Sequence, residues 1–60
     1  MPVITVEGAK LSKEQKSQLA KELTASASSI MNVPEEAFIV LIKENEIENI
    51  GVGGTLIADK

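Results

Sequence analysis

One residue from its start, this chain carries a group suited to acid–base chemistry. The sequence opens Met1-Pro2-Val3-Ile4-Thr5-Val6. A leading Met before a small residue such as proline is prone to trimming, so Pro2 is expected to become the terminus. A terminal proline is a free secondary amine on a rigid ring. The apolar run behind it would carry that amine into a protein interior. Desolvation there disfavours the charged form and lowers the amine's pKa toward neutrality. A neutral amine near pH 7 is a good general base. With Met1 retained, the same nitrogen is an amide and cannot take up a proton.

Something must hold that amine in place, and 60 residues make one small domain, 1–60. Domains of this length bury only about 60% of their unfolded surface and are marginal alone. They lean on disulfides, a metal or oligomerisation. Cysteine and histidine are both absent. Disulfides and thiolate sites are therefore excluded, and a zinc site is not expected. Oligomerisation remains. Apolar residues make up 43% of the chain, enough for a core, with Phe38 the only aromatic.

The net charge is −3, from six lysines and nine acidic residues, with no arginine. Lys10, Lys13, Lys16, Lys21, Lys43 and Lys60 are scattered rather than striped. Without a basic stripe or an aromatic platform, nucleic acid is not an expected partner. No apolar run approaches the ~20 residues of a membrane span, and no signal peptide is visible. The expected location is cytoplasmic.

Val3 to Val6 reads as a short strand ended by Glu7-Gly8. Ser12-Lys13-Glu14-Gln15 fits a capping box, with Ser12 as N-cap and Gln15 three positions on. Leu19, Leu23, Ala27, Ile30 and Met31 then recur at helical spacing, with Ala20 beside them. Lys16, Gln18, Lys21, Glu22 and Ser29 mostly take the other side. This predicts one amphipathic helix of roughly five turns, ending near Met31 or Asn32. Val33-Pro34 blocks its continuation, because the residue before proline is pushed out of the helical region. Pro34 to Ala37 can form one short turn.

Phe38-Ile39-Val40-Leu41-Ile42 reads as a second strand, apolar on both faces and hence buried on both. Two strands joined through a helix predict a parallel β-α-β unit with a right-handed crossover. One helix covers one face of so small a sheet. The other face is expected to meet a second copy, since bare it would be a sticky patch. The tail, Asn49-Ile50-Gly51-Val52-Gly53-Gly54-Thr55-Leu56-Ile57, holds three glycines in four residues. A dinucleotide loop needs a helix after it, and only six residues follow Gly54. A hairpin packing on a neighbouring subunit is the expectation.

Taken in order, these features resemble the 4-oxalocrotonate tautomerase family of the tautomerase superfamily. They are Pro2 leading an apolar strand, Ser12-Lys13-Glu14-Gln15-Lys16 opening one long helix, Val33-Pro34 before a second strand, and Gly51-Val52-Gly53-Gly54 near the end. The resemblance spans nearly the whole chain. It implies an α+β fold, a β-α-β unit with a C-terminal hairpin. Oligomerisation completes the sheet, with two subunits forming four strands and dimers assembling as a trimer of dimers, a homohexamer. It implies an isomerase that converts 2-hydroxy-dienoates and related 2-keto acids between enol and keto forms, without a cofactor. Pro2 would take the enol proton and return it to carbon.

The family's two arginines are missing. Lys10 lies where the first belongs, in a loop one residue shorter, and could act as a point charge but not as a bidentate clamp. The second position falls on Ile39. The family's aromatic pocket residue falls on Ile50. Both are read as apolar pocket lining, with plain packing an equal reading for Ile39. Lys43 is a further cation on the second strand, better read as a solvated strand end. Glu7, Glu44, Glu46 and Glu48 would be wanted by proline-based hydratases, dehalogenases or decarboxylases on this scaffold, but read as solvated surface. A non-catalytic oligomeric domain of the same fold is the other alternative.

Overall fold

The computed structural model describes residues 1–59. The β-branched run at the start forms strand β1, Val3–Gly8, and the second apolar run forms β2, Ile39–Glu44. Both strands continue two residues beyond their apolar stretches. Glu7 pairs with Lys43 and Gly8 with Glu44 in the ladder. Backbone hydrogen bonds extend a ladder regardless of side-chain polarity, so hydropathy alone set the ends too early. The pairing is parallel, with Val3 opposite Ile39 and Val6 opposite Ile42.

Helix α1, Lys13–Met31, joins the two strands. Ser12 caps it as the sequence predicts. Its hydroxyl accepts the Gln15 amide at 3.1 Å, and the Gln15 side chain accepts the Ser12 amide at 2.9 Å. Asn32 closes the other end at φ 60°, its amide donating to the Ser28 carbonyl. The turn predicted after Pro34 is a 3-10 turn, Glu35–Ala37.

The sheet has two unlike faces. Ile4, Val6, Val40 and Ile42 are half-buried, facing a helix stripe of Leu19, Ala20, Leu23, Thr24, Ala27 and Ser28. Val3, Thr5, Ile39 and Leu41 form the exposed face, with Val3 54% and Leu41 53% exposed. Within one chain, then, β2 is covered on one side only. Ile30, 84% exposed, and Met31 do not join the helix stripe. The turns of α1 that carry them run past the end of so short a sheet. Lys16, expected on the outer side, is half-buried instead and reaches the end of β2.

Beyond β2 the chain forms a 3-10 turn, Ile47–Asn49, then the antiparallel hairpin of β3, Gly51–Val52, and β4, Thr55–Leu56. A last 3-10 turn follows at Ile57–Asp59. Gly53 and Gly54 have φ of 63° and 88°. A two-residue primed turn requires positive φ at both positions. A Cβ on either would meet nothing within 4 Å, so backbone conformation, not crowding, selects glycine here.

No described residue is fully buried. The Cα radius of gyration is 14.7 Å, whereas a self-contained domain of this length measures about 10 Å. The helix of the β-α-β unit and the hairpin arm thus spread apolar surface outward instead of wrapping it. No helix among the described residues is long and apolar enough to cross a membrane.

Candidate active site

Pro2 sits at the open end of the parallel sheet. Its carbonyl accepts the Ile39 amide at 3.0 Å, which adds one rung before β1 begins. The residue is half-buried, whereas Met1 is 87% exposed. The fold therefore grips Pro2 by its carbonyl. Its nitrogen carries the peptide link to Met1, and once that link is cut it is the terminal amine of the chain.

Ile39 is the ladder neighbour of this end. It is 37% exposed and shares the bare face with Val3. By strand alternation, Pro2 falls in the set of Ile4 and Val6 and Ile39 in the opposite set. Ile39 and Val3 thus stand on the bare face, opposite the set that holds Pro2. Ile50 is half-buried at the base of the hairpin, its carbonyl accepting the Ile57 amide at 2.9 Å. The backbone hydrogen bonds described for residues 46–59 run within that segment. Ile50 thus belongs to an arm, separate from the strand pair that carries Pro2.

Lys10 lies past the far end of β1. Six residues of strand separate Pro2 from Gly8, about 20 Å at the usual rise. A single chain does not bring Lys10 to Pro2. Its ammonium instead pairs with Glu46 Oε1 at 3.0 Å, with the two side chains 71% and 52% exposed. The hydrogen bond that the Lys10 ammonium donates to Glu46, reinforced by the charge of Glu46, holds Lys10 above the usual lysine value.

Glu44 organises the same end of the sheet. One carboxylate oxygen accepts the Leu11 amide at 2.9 Å and the other faces Lys16 Nζ at 3.3 Å. The Leu11 hydrogen bond first, and Lys16 second, hold the Glu44 carboxyl below the usual carboxylate value. By sequence alone Glu44 and Glu46 read as solvated surface, whereas in the fold both are paired. Their partners lie 33 and 28 positions away for Glu44, so no local spacing signals them; only the register Gly8 to Glu44 brings the loop within reach.

A groove of about 460 Å³ runs along α1, lined by Leu11, Gln15, Leu19 and Leu23 among others. Pro2 does not line it. The groove is helix flank left uncovered, and offers no base apart from the carboxylate of Glu22. Within one chain Pro2 adjoins Ile39, while Lys10 and Ile50 sit on other segments, and the groove along α1 is lined by none of the four.

A short parallel β-α-β unit with a terminal hairpin and a proline at position 2 defines a tautomerase-type scaffold. The model of the family described as tautomerase enzyme matches residues 2–60. A probable tautomerase of Bacillus cereus is 40% identical over 63 aligned positions, covering all of both chains. The crystal structure of DmpI from Archaeoglobus fulgidus is 43% identical, covers 97% of this chain and 100% of that one, and superposes with a TM-score of 0.87. A heterohexamer 4-oxalocrotonate tautomerase from Chloroflexus aurantiacus is 29% identical, covers 98% and 95% of the two chains, and gives a TM-score of 0.83. This chain belongs to the tautomerase family, in the group of 4-oxalocrotonate tautomerase homologues.

Proposed function

We propose that this chain is an isomerase that interconverts the enol and keto forms of a 2-hydroxy-dienoate or related 2-keto acid. The Pro2 amine, freed by loss of Met1, is the general base. It takes the proton of the 2-hydroxyl, the C–O bond gains double-bond character, and the dienol carbon gains electron density. The resulting prolinium returns a proton to that carbon. Nothing is oxidised or reduced, so the residues need supply only a proton carrier and charge stabilisation.

The observation that carries this reading is the hold on Pro2. Its carbonyl is clamped to Ile39 while its nitrogen bears only the exposed Met1. The half-buried position of Pro2, in the set of Ile4 and Val6, favours a neutral amine. Ile39 and Ile50 serve as apolar lining, and Lys10 as the cation that holds the substrate carboxylate.

Lys10 can meet Pro2 only between copies of the chain. Two copies run antiparallel when the two-fold axis that relates them lies perpendicular to the strands, and that is the arrangement this reading requires. The axis turns the far end of one sheet toward the Pro2 end of its neighbour, and Lys10 travels with it. The bare face of Val3, Ile39 and Leu41 and the open hairpin arm supply further surface for assembly. A homohexamer built as a trimer of dimers suits both, and in this reading the protein works in the cytosol.

One fact favours a second reading, a non-catalytic oligomeric domain: the chain has no arginine to clamp a carboxylate. A single assay separates the two. Protein freed of Met1 is tested on 2-hydroxymuconate and phenylenolpyruvate beside Pro2→Ala. The variant should lose at least about 100-fold in kcat/KM, the scale of a positioned general base. Equal activity, or equal inertness, of the two proteins removes the isomerase reading for these substrates.

A further inference from the structure

The Lys10 ammonium already has a carboxylate. Glu46 Oε1 lies 3.0 Å from Nζ, and both side chains remain open to solvent. Lys16, the other cation that acts on Glu44, is bound to it at 3.3 Å. No arginine is present to compensate. An incoming carboxylate must therefore displace Glu46 from Lys10, or share Lys10 with it and suffer the repulsion of a second negative charge nearby. Glu46 can yield without unmaking the fold. It precedes the 3-10 turn at Ile47–Asn49, and its carbonyl, not its side chain, accepts the Asn49 amide at 2.8 Å. Glu44, by contrast, is tied to both Leu11 and Lys16 and stays in place.

We propose that Glu46 is a specificity-determining residue, an internal competitor for Lys10 that biases the site against doubly charged substrates. The proposal rests on the reading of Lys10 as the carboxylate-binding cation. A substrate with one carboxylate makes a single exchange with Glu46. A dicarboxylate brings a second charge into a region where Glu44 and Glu46 already face it, with Lys10 and Lys16 as the local cations. Chemically, the site then prefers enols with one carboxylate and an apolar remainder, in keeping with the isoleucines at positions 39 and 50.

The test is a binding measurement that does not depend on turnover. Adipate, a saturated dicarboxylate, and hexanoate, its singly charged counterpart, are titrated calorimetrically into the assembled protein. Glu46→Gln should bind adipate about two- to fivefold more tightly than wild type, the range an exposed ion pair supports. Hexanoate should gain less. Glu46→Asp, which keeps the charge, should behave like wild type, and Lys10→Ala combined with Glu46→Gln should lose the gain. Equal adipate affinity in wild type and Glu46→Gln, no binding in either, or a gain that persists without Lys10 would each overturn the proposal. The kinetic comparison with Pro2→Ala judges the isomerase reading separately, because adipate binding requires no active base.

Discussion

At the scale of single residues, the proposed chemistry reduces to one nitrogen and the charges that reach it. Pro2 stands out in the sequence because the role proposed for it depends on position in the chain and on the apolar residues after it. The structure adds how it is held, through its carbonyl, which accepts the Ile39 amide. The hundredfold loss expected of Pro2→Ala belongs here, since alanine keeps a terminal amine but lacks the ring that fixes its direction. Lys10 was legible as a cation, but not its pairing with Glu46. That pair joins the loop after β1 to the segment after β2, 36 positions apart by residue number, and no periodicity spans them.

At the scale of elements, local signals translated directly. Ser12 and Gln15 form the capping box because its hydrogen bonds run between residues three apart. Asn32 ends the helix because it accepts a left-handed backbone. Signals that depend on tertiary fit did not translate. Ile30 and Met31 continue the helical spacing, yet the sheet is too short to meet them.

Glu44 is the clip between elements, joining the end of β2 to Leu11 and Lys16 at the start of α1. Its carboxyl is held below its ordinary value of 4.5 in the fold. The clip therefore stabilises the fold fully above that ordinary value. Its contribution is lost as pH falls through the lowered folded value. Glu44→Gln should lower the urea midpoint at pH 7, and the gap to wild type should shrink as both are titrated toward pH 3. A gap that is constant with pH would show that the carboxylate charge plays no part.

At the scale of the whole molecule, the described chain is a folded pattern without a sealed interior. Its extents of 43 × 23 × 14 Å leave apolar side chains on the sheet, the helix end and the hairpin exposed. The sequence announced this through a second strand apolar on both faces, although it could not show which residues would stand bare. Leu41, 53% exposed at the centre of the bare face, is the position to test. Fully burying a leucine is worth about 1.5–3 kcal/mol, so covering the exposed half contributes roughly 1 kcal/mol per copy. A lysine there would place a charge in the covered face, which costs more. Sedimentation should show wild type as a multiple of the 6.4 kDa chain, and Leu41→Lys as smaller species with reduced helical circular dichroism. A wild-type chain that sediments as a folded monomer would contradict the assembly.

Every step of the proposed chemistry requires that the Pro2 nitrogen be free and unprotonated near pH 7. Protein lacking Met1, labelled with ¹⁵N-proline, reports this directly by NMR titration. The account predicts a midpoint at or below about 7, under the ordinary range of about 7.7–8.0 for a terminal amine. A midpoint well above 8 would leave the amine cationic where it must act, and would contradict the account.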